Sequence, residues 1–169
     1  NRVHKHDLRQ ILTAFPAERT AILNRHEAGA RVVSHYDFNN TYQYVIAPEE
    51  THVSWLQNAL AEFDAVLPAP SSTISVPDVK AGKKATPETF RGILEDDART
   101  LGGFVERWRS RVDEMTHARH RTMLNVILGE SLEHKRLFEQ AAGGFEDVLG
   151  RRTDGAERVG GVLSTRWME

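Results

Sequence analysis

The sequence predicts an all-α protein, a four-helix bundle running up, down, down, up, and three observations carry that expectation. Apolar residues recur at alternating spacings of three and four over four long segments, the stripe an amphipathic helix turns toward its core. A connection rich in Pro and Ser separates the second segment from the third, and it can return the chain along the whole length of a helix. The 169 residues suit one domain with a continuous core.

The core helices are expected over 17–36, 46–67, 87–112 and 117–142, with a crossover over 68–86 and a tail over 143–169. Ahead of them Asp7 caps a short helix that carries Leu8, Ile11, Leu12 and Phe15 on one side. Pro16 either kinks that helix or opens the next. In the first core helix Ile22, Leu23, Gly29, Ala30, Val32 and Val33 face inward, with His26 and Glu27 at the edge of that face. The small residues Ala28, Gly29 and Ala30 let a neighbouring helix come close. Residues 37–44, DFNNTYQY, are the expected break, because Asp and Asn favour turns.

The second core helix has Ile46, Glu49, Val53, Leu56, Leu60, Phe63 and Leu67 on its seam, and Pro48 marks its regular start or a bend. His52 stands one turn after Glu49 and points the same way. Thr86-Pro87-Glu88 reads as a helix start, with a cap, a proline at the first position and an acidic first turn. The stripe that follows is Phe90, Leu94, Asp97, Leu101, Phe104 and Trp108, and Asp97 is its single polar residue. An unbroken helix over 87–142 is too long for a globular domain, so a turn is expected near 110–116. The fourth helix turns His120, Met123, Leu124, Ile127, Glu130, Ser131, His134, Phe138 and Ala141 inward, and Gly143-Gly144 ends it. In the tail Val159, Val162, Leu163 and Trp167 outline a short final helix.

Composition narrows the chemistry. A formal net charge of −2 gives no electrostatic reason to expect nucleic acid or an anionic membrane as partner. No cysteine occurs, which excludes disulfides, thiolate nucleophiles and Cys-ligated zinc and leaves His and carboxylates as the strong metal ligands. Of the eight His, the four at His4, His6, His117 and His120 lie in polar surroundings and are expected at the surface. No apolar run is long enough for a membrane span and no leader pattern opens the chain, so a cytoplasmic location is expected.

The seam carboxylates fall at one height. Counted from a turn at 38–40, Glu27 lies about 11 to 12 residues back and Glu49 and His52 about 10 to 13 forward, roughly 17 Å below the bundle top. Asp97 is about 10 residues, or roughly 15 Å, below the start of the third helix. From a turn near Asp113, Asp97 is 16 residues back and Glu130 is 17 forward. Bundle interiors use this arrangement to hold two metal ions, with carboxylates from two helices and a Glu plus a His one turn later from the other two. Glu49-x-x-His52 matches that spacing, and Glu130-x-x-x-His134 also shares a helix face. The candidate metal ligands are therefore Glu27, Glu49, His52, Asp97, Glu130 and His134, with Glu95 and Glu106 as alternatives to Asp97 in other registers of the third helix.

On these residues, over 17–142, the chain resembles the ferritin-like family of di-iron carboxylate proteins, which includes bacterioferritins and rubrerythrins. The resemblance implies two iron or manganese ions, activation of dioxygen or peroxide, oxidation of iron or of a small substrate, and a homodimer or higher oligomer. A second likeness is to the DinB-like four-helix metal hydrolases and thiol transferases, which implies one zinc or nickel ion held by His52, Glu130 and His134, with a bound water as nucleophile. A third reading is a non-catalytic helical interaction module, its seam polar residues hydrogen-bonded to Arg25, Tyr36, Tyr42 or Tyr44.

Overall fold

A computed structural model describes residues 2–73, 75–76 and 87–144 of the protein, with side chains from Leu8 onward, and four α-helices make up the regular structure among these described residues. They are α1 (Arg2–Val32), α2 (Tyr36–Ala61), α3 (Pro87–Asp113) and α4 (Ala118–Ala142). The expected final helix, with Val159, Val162, Leu163 and Trp167, lies outside the described residues, as do Thr86 and the side chains of His4 and His6. Among the described residues no helix is long and apolar enough to cross a membrane.

Each helix buries one stripe. On α1 it is Ile11, Phe15, Arg19, Ile22, His26 and Gly29, continued by Val33. On α2 it is Phe38, Tyr42, Val45, Glu49, His52, Leu56 and Ala59. On α3 it is Phe90, Leu94, Asp97, Leu101, Phe104, Trp108 and Val112. On α4 it is His120, Leu124, Ile127, Ser131, His134, Phe138 and Ala141. The spacing of three and four never breaks, and this continuity explains two departures from expectation. α1 runs through Pro16, because the residues on either side keep one face buried, which offsets the single backbone hydrogen bond that a proline removes. α2 likewise begins ten residues early and runs through Pro48, because Phe38, Tyr42 and Val45 extend its stripe.

The break expected over 37–44 is therefore helix, and the chain turns instead at 33–35. His35 caps α2 by accepting the Phe38 N–H on its Nδ1, at 3.5 Å. Asn39, one of the residues expected to break the helix, donates its side-chain amide to the carbonyls of Ala30 (2.7 Å) and Val33 (3.0 Å). It satisfies acceptors that the end of α1 leaves open. Gly29 faces the ring of Tyr42 so closely that a Cβ there would stand 2.8 Å from Cε1, so the small-residue patch does bring α2 near.

Ring and ion-pair contacts fix the directions. Phe15 packs on Phe104 and Trp108, whereas Arg25 and His26 lie beside Asp97, so α1 and α3 are antiparallel. Glu49 lies near His134 and Glu62 near Arg119, so α2 and α4 are antiparallel as well. α1–α2 and α3–α4 are hairpins closed by short turns, and the bundle runs up, down, down, up. After α2 the chain turns at 62–64, with Asp64 left-handed at φ 53°, and the crossover starts back along α1, where the Ser71 N–H donates to the Ala17 carbonyl at 3.0 Å. The second turn, at 114–117, is held by Arg121 donating to the Met115 carbonyl at 2.9 Å, with His117 capping α4.

Aromatic rings fill the α1–α3 face. Phe15 and Phe104 are fully buried with centroids 5.0 Å apart, and each contributes about 1.5–3 kcal/mol by burial. The buried Trp108 donates its indole N–H to Glu18 Oε2 at 2.6 Å. Trp55, in contrast, is 36% exposed on the outer side of α2.

Candidate functional site

The apolar stripes are interrupted at one level of the bundle, and there the interruptions meet. Arg19, Arg25 and His26 come from α1, Tyr42, Glu49 and His52 from α2, Asp97 from α3, and Glu130, Ser131 and His134 from α4. Turn geometry sets this convergence. Arg19 lies fifteen residues before Ser34 and Glu49 fifteen after it, while His26 and Tyr42 lie eight before and eight after. Each pair therefore sits at one height on the α1–α2 hairpin.

Glu49 is at the centre and is fully buried. Its Oε2 accepts from Arg19 Nη2, also fully buried, and its Oε1 accepts from His26 Nδ1 at 2.6 Å. His134 Nδ1 stands 3.9 Å from Oε2. Burial alone opposes charge on this carboxyl, but the Arg19 guanidinium, and after it His26, outweigh that cost and hold Glu49 well below the usual carboxylate range. Arg19 also lies over the Phe104 ring, 5.8 Å from its centroid.

Asp97 forms the second centre. Its Oδ2 accepts from the Tyr42 hydroxyl and lies 3.7 Å from Arg25 Nη1, while its Oδ1 lies 3.7 Å from His26 Nε2. Burial prevails here and raises the Asp97 carboxyl above its ordinary range, against His26, Arg25 and the Tyr42 hydrogen bond. Tyr42 is raised too, first by burial and then by the charge of Asp97. His26 thus stands between the two carboxyl centres.

The third centre joins α2 and α4. His52 Nε2 donates to Glu130 Oε2, and Glu130 is the member of the layer that reaches solvent, with 21% of its side chain exposed. Burial depresses His52 despite the raising effect of that bond, so the imidazole is held neutral, and the same bond lowers Glu130. With its proton on Nε2, His52 keeps a lone pair on Nδ1, which is buried with no hydrogen-bond partner. His134 Nδ1 is buried and unpartnered as well.

Of the six residues singled out in the sequence, Glu49, His52, Asp97, Glu130 and His134 belong to this layer. Glu27 does not. It follows His26 by one position, a rotation of about 100° on the helix, and is half-buried outside the layer. His26 takes the inward place expected for Glu27. Glu95 and Glu106 are exposed, so the register centred on Asp97 is the one adopted. Arg25 and Tyr42, weighed as hydrogen-bond partners, serve Asp97. Arg19 is the member that the sequence reading missed, and His26, expected at the edge of the inward face, is fully buried; the spacing from Ile11 and Phe15 through Ile22 to Gly29 places both on the buried stripe.

The donor set does not fit two metal ions. Both oxygens of Glu49 face Arg19 and His26, Asp97 is committed to Tyr42 beside Arg25, and two guanidinium cations already stand in the layer. Among the described residues no group of three or more His, Asp or Glu side chains is arranged as a metal site. On the α2–α4 side His52 is a neutral imidazole fixed by a carboxylate on one nitrogen and free on the other, the form in which a histidine ligates metal.

A smaller polar cluster lies toward the end of the bundle that carries the 114–117 turn. Arg119 forms a two-pronged pair with Glu62, at 2.8 and 2.7 Å, and the buried His120 places Nε2 3.6 Å from Glu62 Oε2. His117 stacks on His120 with centroids 4.1 Å apart. His117 is exposed, whereas His120, which stands on the inward stripe of α4 as well as among the polar histidines, is buried one turn before Leu124. Glu62, Arg119 and His120, with Trp55 and Met123, line a shallow hollow of about 200 Å³.

No protein-family model, no curated protein and no solved structure matches the chain.

Proposed function

We propose that the protein is a metal-binding helical bundle that holds a single divalent ion on the α2–α4 side of its polar layer. The observation that carries this reading is the buried, unpartnered Nδ1 of His52, whose tautomer is set by Glu130 on the other nitrogen. A lone pair buried without a donor costs about 1–3 kcal/mol, and a metal ion satisfies it. His134 supplies a second unpartnered nitrogen, 3.9 Å from the Glu49 oxygen that Arg19 already holds, and Glu130 marks the opening to solvent. The N/O donor set suits zinc, iron, manganese or nickel. A divalent ion held this way supplies Lewis acidity toward a bound water. The chain's own contribution is to fix the imidazoles, exclude bulk solvent and leave one carboxylate at the rim.

Two-ion oxygen chemistry, which the ferritin-like resemblance implies, needs Glu27 and Asp97 as further ligands, and the proposal is confined to one ion for that reason. A second reading has its own support. Each carboxylate of the layer already has a cation or a hydrogen-bond donor, which suits a bundle whose ionic layer fixes helix register without any ligand. Elemental analysis of protein purified without chelator separates the two. About one divalent ion per chain, lost in His52→Ala and in His134→Ala, supports the metal reading. No ion after incubation with zinc, ferrous iron, manganese and nickel in turn leaves the structural one.

A further inference from the structure

The carboxylate at the centre of the layer is surrounded by groups that bind cations, and one of its neighbours is itself a cation. His26 Nδ1 is 2.6 Å from Glu49 Oε1 and His134 Nδ1 is 3.9 Å from Oε2, which makes a carboxylate flanked by two imidazoles. That donor composition, two His and one carboxylate, is a recurrent set for divalent transition metals. Against Oε2, between α1 and α2, lies the Arg19 guanidinium. Arg19 is fully buried, its Nε and Nη1 have no hydrogen-bond partner, and its cationic face rests on Phe104. A guanidinium normally uses its five donors. Here two of its three nitrogens are unused, so the residue is held in place by its charge rather than by a full set of hydrogen bonds.

We infer that Arg19 occupies the position of a cation at Glu49 and competes with a divalent metal ion for that carboxylate, so that it sets how tightly the layer binds metal. The inference deepens the metal-binding reading above and rests on the same layer, but the two can fail separately. A unit positive charge against Glu49 lowers the attraction of that carboxylate for any second cation and repels the ion directly. When Arg19 is replaced by a neutral side chain, Glu49 is buried without its main counter-charge and flanked by the nitrogens of His26 and His134. A divalent ion then supplies the missing charge.

The test uses the full chain and cobalt(II), whose visible absorption reports nitrogen and oxygen coordination. Wild type, Arg19→Met and Arg19→Met/Glu49→Gln are titrated in parallel. The expected result is binding at least about tenfold tighter in Arg19→Met than in wild type, with a new visible band and a cobalt-dependent rise in melting temperature, all abolished in the double variant. Equal cobalt affinity in wild type and a folded Arg19→Met overturns the inference and leaves the single-ion reading standing. Binding in Arg19→Met alone supports the inference and overturns the reading for the native chain. Absence of binding in both overturns both. If Arg19→Met folds neither with nor without cobalt, Arg19→Gln, whose amide can still donate to Glu49, is titrated in its place, and the same outcomes decide.

Discussion

Replacing Glu49 with Gln isolates the energetics of the layer. The change is nearly isosteric, removes one charge and leaves Arg19 buried with no counter-ion against it. Both side chains of this pair have zero exposure, so solvent screening does not reduce the effect. Breaking a buried ion pair by neutralising one partner costs about 3–5 kcal/mol. Against a total stability of about 5–15 kcal/mol that is a large share, and at about 2–4 °C per kcal/mol for a chain of this size it lowers Tm by about 6–20 °C. The assay is urea unfolding followed by far-ultraviolet circular dichroism at pH 7 with chelator present, so that metal plays no part. Arg19→Met and Arg19→Met/Glu49→Gln complete a double-mutant cycle. The double variant should recover part of the loss, because two neutral side chains of similar volume remove the unpaired charge that either single change leaves. A loss below about 1 kcal/mol in Glu49→Gln, the range of an exposed pair, would refute the argument. So would simple additivity of the two single changes.

The pH dependence of stability has a definite sign. Glu49 and His52 both have folded values below their ordinary ones, so the unfolded chain binds the protons, and their contributions are present at neutral pH and lost on acidification. For His52 the loss begins as pH falls below 6.5, and for Glu49 only below 4.5. Asp97 is raised and acts in the opposite sense, its contribution fading as pH rises through its folded value. Urea midpoints should therefore drop between about pH 6.5 and pH 5 in wild type, and His52→Gln should flatten that slope; an unchanged slope in the variant refutes the assignment. Among the glycines, Gly29→Ala should destabilise by about 1–3 kcal/mol in thermal melts, because its Cβ meets the buried Tyr42 ring and the gain in helix propensity is smaller. Gly92→Ala and Gly129→Ala, exposed in helices with nothing within 4 Å of the added Cβ, should each stabilise by about 0.5–1 kcal/mol; the same sign at all three sites would refute this reading.

Much of the fold was legible because the stripe on α3 is nearly pure, with Asp97 its single polar member, and because the Gly143-Gly144 stop closes α4. α1 and α2 were harder to read. Residues 37–44 contain Asp and two Asn, whose local preference is for turns, but Phe38, Tyr42 and Val45 bury one helical face there and Asn39 serves the end of α1. Tertiary packing overrode propensity, and the turn moved from 38–40 to 33–35. That shift of five residues changed the partner of Glu49. Counted from the earlier turn, the residue at its height is Arg19 rather than one near Glu27. A similar shift at the second turn, centred between Met115 and Thr116, brings Asp97 level with His134. Five of the six residues singled out nevertheless stand in the polar layer, because an isolated polar residue on an apolar stripe needs no exact height to be noticed. Arg19 went unnoticed because Pro16 divided its stripe in two, and His26 was placed only at the edge of the inward face.

The short turns at 33–35 and 114–117 also bear on how the chain assembles. α1–α2 and α3–α4 are each joined locally, so both hairpins can form with little loop-closure cost, whereas contacts of α1 with α3 and of α2 with α4 span a third to a half of the chain. Arg19, His26 and Glu49 all belong to the first hairpin, so that hairpin carries the counter-charges of its own buried carboxylate. Asp97 and Glu130 arrive on the second hairpin, and their partners Tyr42, Arg25 and His52 stand ready on the first. Docking therefore brings each remaining carboxyl group out of water directly onto a donor, and a displacement of the hairpins by one helical turn would bury those groups without partners. The ionic layer thus acts as a key that admits one alignment of two preformed halves.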